Sequence, residues 1–183
     1  MKDILKITVV LLIICIIAGG VLAFVYKKTA PKIAENKKLE EENARKEVLP
    51  KAEYFESVSD NGKIFYYKGF NENQNLVGFA FQCEKEGYSS TIQTMVGIDT
   101  LFQITGIKIV SQQETPGLGA KVSKLEFTEQ FKSKNPEKIL ADKDGGKIES
   151  ITGATISTRT ITNSIREKFK NIKEKLSPEQ GVK

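Results

Sequence analysis

Apolar positions follow three different rules along this chain. From Ile7 to Tyr26 they are continuous: ITVVLLIICIIAGGVLAFVY carries no charge. About twenty such residues, rising roughly 1.5 Å each in a helix, cover a hydrocarbon core roughly 30 Å thick, so a single membrane-spanning helix is expected. A cleaved signal peptide is the alternative, but its apolar core is shorter, about 7–15 residues, and ends in a small-residue cleavage site. The segment YKKTAP (Tyr26–Pro31) does not supply one. Cys15 follows Leu12 as a lipoprotein cysteine would, yet apolar residues continue well past it, and a lipid there would sit mid-membrane. Between Pro31 and Pro50 apolar residues become sparse (Ile33, Leu39, Val48) among charged helix formers, which predicts a solvated helical stalk rather than a partner-binding helix.

Beyond the stalk the period changes to two. Val77, Phe79, Phe81 and Cys83 alternate with Gly78, Ala80, Gln82 and Glu84, and Ile92, Thr94, Val96 and Ile98 repeat the pattern. Ile64–Tyr67 and Ile107–Val110 read as further strands, and the short links NENQN and DTLFQ suit antiparallel pairing. Leu125–Lys132 has a short helical pattern. Ile161, Ile165, Phe169, Ile172 and Leu176 then recur at helical spacing, the stripe of a terminal helix packed on the sheet and stopped at Ser177 and Pro178. This order of elements predicts an α+β fold: a single transmembrane helix, then one domain with a mainly antiparallel sheet packed by helices. The expected divisions are a tail and anchor over 1–28, a stalk over 29–50, the domain over 51–177 and a frayed tail over 178–183.

Composition narrows the chemistry. The 28 Lys and Arg against 23 Asp and Glu give a net charge of +5, but Lys stands beside Glu throughout and no basic face interleaves with aromatics, so nucleic acid is not an expected partner. The chain has no histidine, which removes Ser-His and Cys-His catalysis, histidyl metal sites and histidyl haem ligation. Its two cysteines, Cys15 and Cys83, are too few for an iron–sulfur cluster and badly placed for a disulfide. No metal site and no complete catalytic set is expected, and any redox role requires an organic cofactor.

Two segments carry candidate chemistry. In GGKIESITGATIST (Gly145–Thr158), residues Thr152, Gly153, Ala154 and Thr155 lie just before the terminal helix. The unpaired amides and dipole of a helix start favour an anion such as phosphate, Gly153 lets the backbone come close, and hydroxyls including Ser157 are at hand. Plain N-capping would explain the same residues. In QQETPGLGAKV (Gln112–Val122), the run Thr115-Pro-Gly117-Leu118-Gly makes a tight turn that leaves amides exposed beside Glu114, a place for a planar ring edge or simply a strand-to-helix loop.

Together, ETPGLG followed by TGAT behind one N-terminal span resembles the FMN-binding domain family, and within it the G subunits of Rnf-type ion-translocating oxidoreductase complexes. The C subunits of the sodium-pumping NADH:quinone oxidoreductase share the tetrapeptide but are longer. The segment GYSSTIQTMVGID (Gly87–Asp99) resembles the family's KGY…VGID stretch. In that family a Ser or Thr followed by GAT receives FMN from a flavin transferase, through a phosphoester to the last Thr, here Thr155. The resemblance implies a cofactor site built from Thr152, Gly153, Ala154, Ser157, Glu114, Thr115, Gly117 and Leu118. Ser157 and Thr158 are the rival hydroxyls. Two positions depart from the family pattern: Glu149 stands where many members have Asp, which bears on transferase recognition, and Gln112 where many have His, which bears on how the ring is held.

The implied function is electron transfer through covalent FMN, as a redox component not catalytically complete alone, in a membrane complex coupling electron flow between ferredoxin and NAD to ion movement. Its partners would be the other membrane subunits of an Rnf-type complex. Lys2 and Lys6 before the span, against Lys27, Lys28 and Lys32 after it, lean towards a cytoplasmic domain. The resemblance implies the reverse, a single-pass protein of the cell membrane with its N-terminus cytoplasmic and its domain extracytoplasmic. Alternatives are an extracytoplasmic flavoprotein of another chain, serving quinones or external acceptors, and a non-redox membrane-tethered binding module.

Overall fold

The computed structural model describes residues 2–60 and 62–179, side chains at 177–179 excepted. The chain forms two units, Met1–Glu40 and Glu41–Lys183. Helix α1 (Lys2–Val48) supplies the first, with Pro31 inside it. Among the described residues it is the one helix long and apolar enough to cross a membrane. Its apolar side chains from Ile7 to Tyr26 are exposed, and the hydroxyls of Thr8 and Thr29 donate to the carbonyls of Ile4 and Val25, which satisfies them within the helix.

The second unit is built on a five-stranded antiparallel sheet in sequential order: β1 (Tyr54–Asp60), β2 (Lys63–Phe70), β3 (Leu76–Glu86), β4 (Thr91–Asp99) and β5 (Ile104–Ser111). The alternation expected for β3 and β4 is what the structure shows. Phe79, Phe81 and Cys83 join Ile92, Val96 and Ile98 on the core face. The two links fold alike: the Asn71 side chain accepts from the Asn73 and Asn75 amides, and that of Asp99 from the Leu101 and Gln103 amides. Strand β1 was not foreseen, because YFESVSD is an edge strand with a mostly exposed face and no run of apolar alternation.

Helix α3 (Thr155–Glu179) lies across the core face, with Ile161, Ile165, Phe169, Ile172 and Leu176 all buried. Each such side chain stabilises by about 1.5–3 kcal/mol on burial, enough to fix where the helix begins. It runs through Ser177 and Pro178 to Glu179, beyond the expected stop, a shift within the usual one or two residues at a helix end. The rest of the expected tail, 180–183, lies outside the described residues. Between β5 and α3 the chain makes short turns. The expected helix over 125–132 is one α turn, α2 (Leu125–Thr128), followed by a 3₁₀ turn (Glu129–Phe131) that buries Phe127 and Phe131 edge to face.

One expectation is corrected. Residues 29–50 do not all form a solvated stalk: the last turn of α1 packs within the second unit, on the outer face of the sheet. Ala44 and Val48, one turn apart, bury against Ala80 and Met95, and Leu49 is buried as well. The Thr105 hydroxyl donates to the Val48 carbonyl at the helix end. Paired Gly97 and Gly106 leave the notch that receives it, and any side chain at 97 would collide with the Val48 carbonyl. Arg45 lies over the Tyr67 ring, 4.1 Å from its centroid.

Candidate functional site

Three segments converge at the start of α3, and Glu114 joins them. The residue is almost wholly buried, at 4% exposed. Oε1 accepts from the Ser89 and Ser90 amides (2.9 and 3.1 Å) in the turn between β3 and β4. Oε2 accepts from the Ser157 hydroxyl in the first turn of α3 (2.6 Å), with the Tyr88 amide at 3.3 Å. Burial alone would raise the Glu114 pKa, but the Ser157 hydroxyl and the three amides outweigh it and hold the carboxyl below the usual range. Two glycines permit this approach: a Cβ at Gly87 would stand 2.6 Å from Oε1, and one at Gly119 would stand 2.7 Å from Oε2 and 2.9 Å from Ser157 Oγ.

The loop itself is held from both ends. The Glu114 amide donates to Gln112 Oε1 at 2.6 Å, so Gln112 orients the residue two positions on. The Gln113 amide donates to Ser90 Oγ. Leu118 and Ala120 amides both return to the Thr115 carbonyl, closing a turn through Gly117 at φ 79°.

On the other side, a parallel bridge between Ala141 and Ile148 delivers the chain to the helix start. Asp142 accepts from the Ser150 amide and hydroxyl, the hydroxyl contact chiefly holding its carboxyl below the usual carboxylate range. Arg159 grips Asp144 through both Nε and Nη2. A turn through Gly153, at φ 78°, brings Ala154 to the helix. The first helical bond runs from the Thr158 amide to the Ala154 carbonyl, so the amides of Thr155, Ile156 and Ser157 precede it and have no hydrogen-bond partner among the described residues.

A cavity of about 440 Å³ lies between this helix start and the loop. Of the residues expected there, Glu114, Thr115 and Leu118 line it from the loop, and Gly153, Ala154, Thr155 and Ser157 from the helix start. Thr152 and Gly117 do not line it: they shape the two turns behind it. Sequence reading missed Tyr88, Gly119 and Ile156, which complete the wall. Tyr88 was within reach of the sequence, since it sits in the GYSS segment; Ile156 is the one exposed apolar residue of the first turn of α3. Glu149 is exposed and only its amide is engaged, by Gln130 Oε1.

The hydroxyls are not equivalent. Ser157 is buried and committed to Glu114, and Thr158 is buried with its hydroxyl on the Ala154 carbonyl. Thr155 is half-buried, faces the cavity and has no side-chain hydrogen bond among the described residues. A hydroxyl, three free amides and the apolar flanks of Leu118 and Ile156 fit a ligand with a phosphate at one end and a flat ring at the other. A larger cavity of about 600 Å³, lined by Lys63, Phe65, Cys83 and Lys168, includes no residue of either motif. Burial pushes its Cys83 thiol up to about 12, which leaves it without nucleophilic character at neutral pH.

The chain is similar to known proteins over most of its length. Residues 87–170 match the FMN-binding domain and residues 1–48 match the RnfG N-terminal region. The G subunit of the ion-translocating oxidoreductase complex of Methanosarcina acetivorans is 33% identical over 172 residues, covering 90% of this chain and 92% of that one. The G subunit of the proton-translocating ferredoxin:NAD(+) oxidoreductase complex of Clostridium ljungdahlii is 34% identical over 175 residues, covering 93% and 92%. Among solved structures, the C subunit of the Na(+)-translocating NADH-quinone reductase of Parabacteroides distasonis aligns with a TM-score of 0.49 at 23% identity, over 56% of this chain and 58% of that one.

Proposed function

The chain belongs to the family of G subunits of ion-translocating oxidoreductase complexes, and on that premise we propose that it passes electrons through FMN held as a phosphoester on Thr155, within a membrane complex coupling ferredoxin–NAD electron flow to ion movement. The observation that carries the reading is the free Thr155 hydroxyl at a helix start with three unpaired amides, facing a cavity closed by the ETPGLG loop.

Each residue has a separate task. The amides of Thr155, Ile156 and Ser157 would hold the phosphate, with the helix dipole favouring its charge. In attachment, the Thr155 oxygen bonds to the phosphorus of an activated FMN donor brought by a flavin transferase, the hydroxyl proton is lost, and the donor's leaving group departs with the P–O electron pair. Leu118, Ile156 and the exposed Tyr88 would flank a bound ring. Glu114 ties the loop to the helix and fixes the spacing between them. When bound, FMN supplies one- and two-electron chemistry that no side chain here can perform.

Ion movement belongs to other members of the complex. The span Ile7–Tyr26 contains no Asp, Glu, Lys or Arg, so it offers no charged relay, and translocation falls to multi-span partners. The domain is extracytoplasmic, where a covalent tether prevents the loss of a cofactor that could not readily be replaced. The test is the intact mass and in-gel fluorescence of the denatured full chain coexpressed with a flavin transferase. Retained flavin supports the reading, and a flavin-free chain overturns it.

A further inference from the structure

Resting on that reading, we propose that Glu114 is a fixed buried anion in the wall of the flavin cavity that lowers the flavin's reduction potential, and that Ser157 moderates its charge. Three observations lead there.

The carboxylate cannot leave or turn. Both oxygens are engaged, Oε1 by the Ser89 and Ser90 amides and Oε2 by the Ser157 hydroxyl and the Tyr88 amide. Gly87 and Gly119 close around it so tightly that a single methyl group at either position would collide with its oxygens.

The charge is not cancelled. Among the described residues no Lys or Arg forms an ion pair with Glu114, and its donors are neutral amides and one hydroxyl. Those donors hold its pKa below the usual carboxylate range, so it is ionised at neutral pH. Neutral donors spread a charge without removing it.

The charged residue borders the site. Glu114 and Thr155 line the same cavity of about 440 Å³, so a ring seated there lies within one cavity's width of the carboxylate. Electrons entering the ring add negative charge, and an anion fixed nearby in a poorly screened wall opposes it. Ser157 donates the shortest of the four bonds, and its removal leaves more charge on Oε2.

The test is a spectroelectrochemical titration of the flavinylated full chain in detergent, coexpressed with a flavin transferase. Glu114→Gln is expected to raise the midpoint potential by at least the equivalent of a tenfold change in the two-electron equilibrium constant, about 30 mV. Ser157→Ala is expected to lower it, and Glu114→Asp to leave it near the wild type. The opposed signs matter, because a role confined to holding the loop would move both variants the same way. Coincident potentials for Glu114→Gln and wild type, or shifts of one sign in both, overturn the proposal. If Glu114→Gln does not load flavin, Ser157→Ala decides alone: a downward shift supports the proposal, and no shift or an upward one overturns it. A wild-type chain without flavin mass overturns the functional reading itself, whereas a loaded wild type with unmoved variants overturns only this inference.

Discussion

Ser157 Oγ donates a 2.6 Å hydrogen bond to Glu114 Oε2 across 43 residues of sequence. That bond joins the first turn of α3 to the ETPGLG loop and occupies the hydroxyl nearest in sequence to the expected attachment residue. Ser157→Ala therefore keeps covalent flavin, while Thr155→Val loses it, as read by in-gel fluorescence after denaturation. Loss of the label in Ser157→Ala with retention in Thr155→Val would move the ester to Ser157.

The end of α1 sits in a notch made by Gly97 and Gly106, and the two glycines are not equally constrained. A Cβ at 97 meets the Val48 carbonyl and the Thr105 hydroxyl, whereas one at 106 finds its nearest neighbour, Val48 Cα, at 3.5 Å. Gly97→Ala is expected to destabilise the domain by about 1–3 kcal/mol, the range for overpacking a filled site, and Gly106→Ala by less. Chemical unfolding of the full chain in detergent checks the order, and equal losses would remove the notch from the account.

Glu114 makes stability depend on pH with a definite sign. Burial would raise its pKa, yet its four hydrogen bonds bring it below the ordinary 4.5. A carboxyl depressed on folding contributes stability that is fully present above the unfolded-state pKa and is lost as pH falls through the folded value. The wild type should lose stability more steeply than Glu114→Gln below about pH 4.5, with no difference in slope near neutrality. Unfolding midpoints across that window measure it. Parallel curves would mean that Glu114 does not contribute in this way.

Orientation is where lysine count and family resemblance disagree. With the domain outside, a reporter fused after Lys183 that needs an oxidising compartment should be active and a cytoplasm-dependent one silent. Activity of the cytoplasmic reporter alone would reverse the topology.

Much of this was legible in the sequence because it was periodic. The stripe from Ile161 to Leu176 and the alternations of β3 and β4 follow from local spacing, and all lie where that spacing puts them. What could not be read depends on contacts between distant segments. Nothing near Glu114 in sequence says that its carboxylate will meet the amides of residues 88–90 and a serine of α3. Gly119 looked like a turn residue and instead makes room for that meeting. Ala44 and Val48 carried a faint helical signal, masked by the charges around them, and only the glycine notch of the sheet gives them a partner.

Electron transfer through this chain rests, as proposed, on flavin carried by Thr155. The most direct measurement is the site-resolved mass of the peptide containing Thr155, taken from the full chain coexpressed with a flavin transferase. An ester at Thr155 adds the mass of FMN less one water to that residue and none to Ser157 or Thr158. An unmodified peptide, or the added mass on either of those two residues, would contradict it.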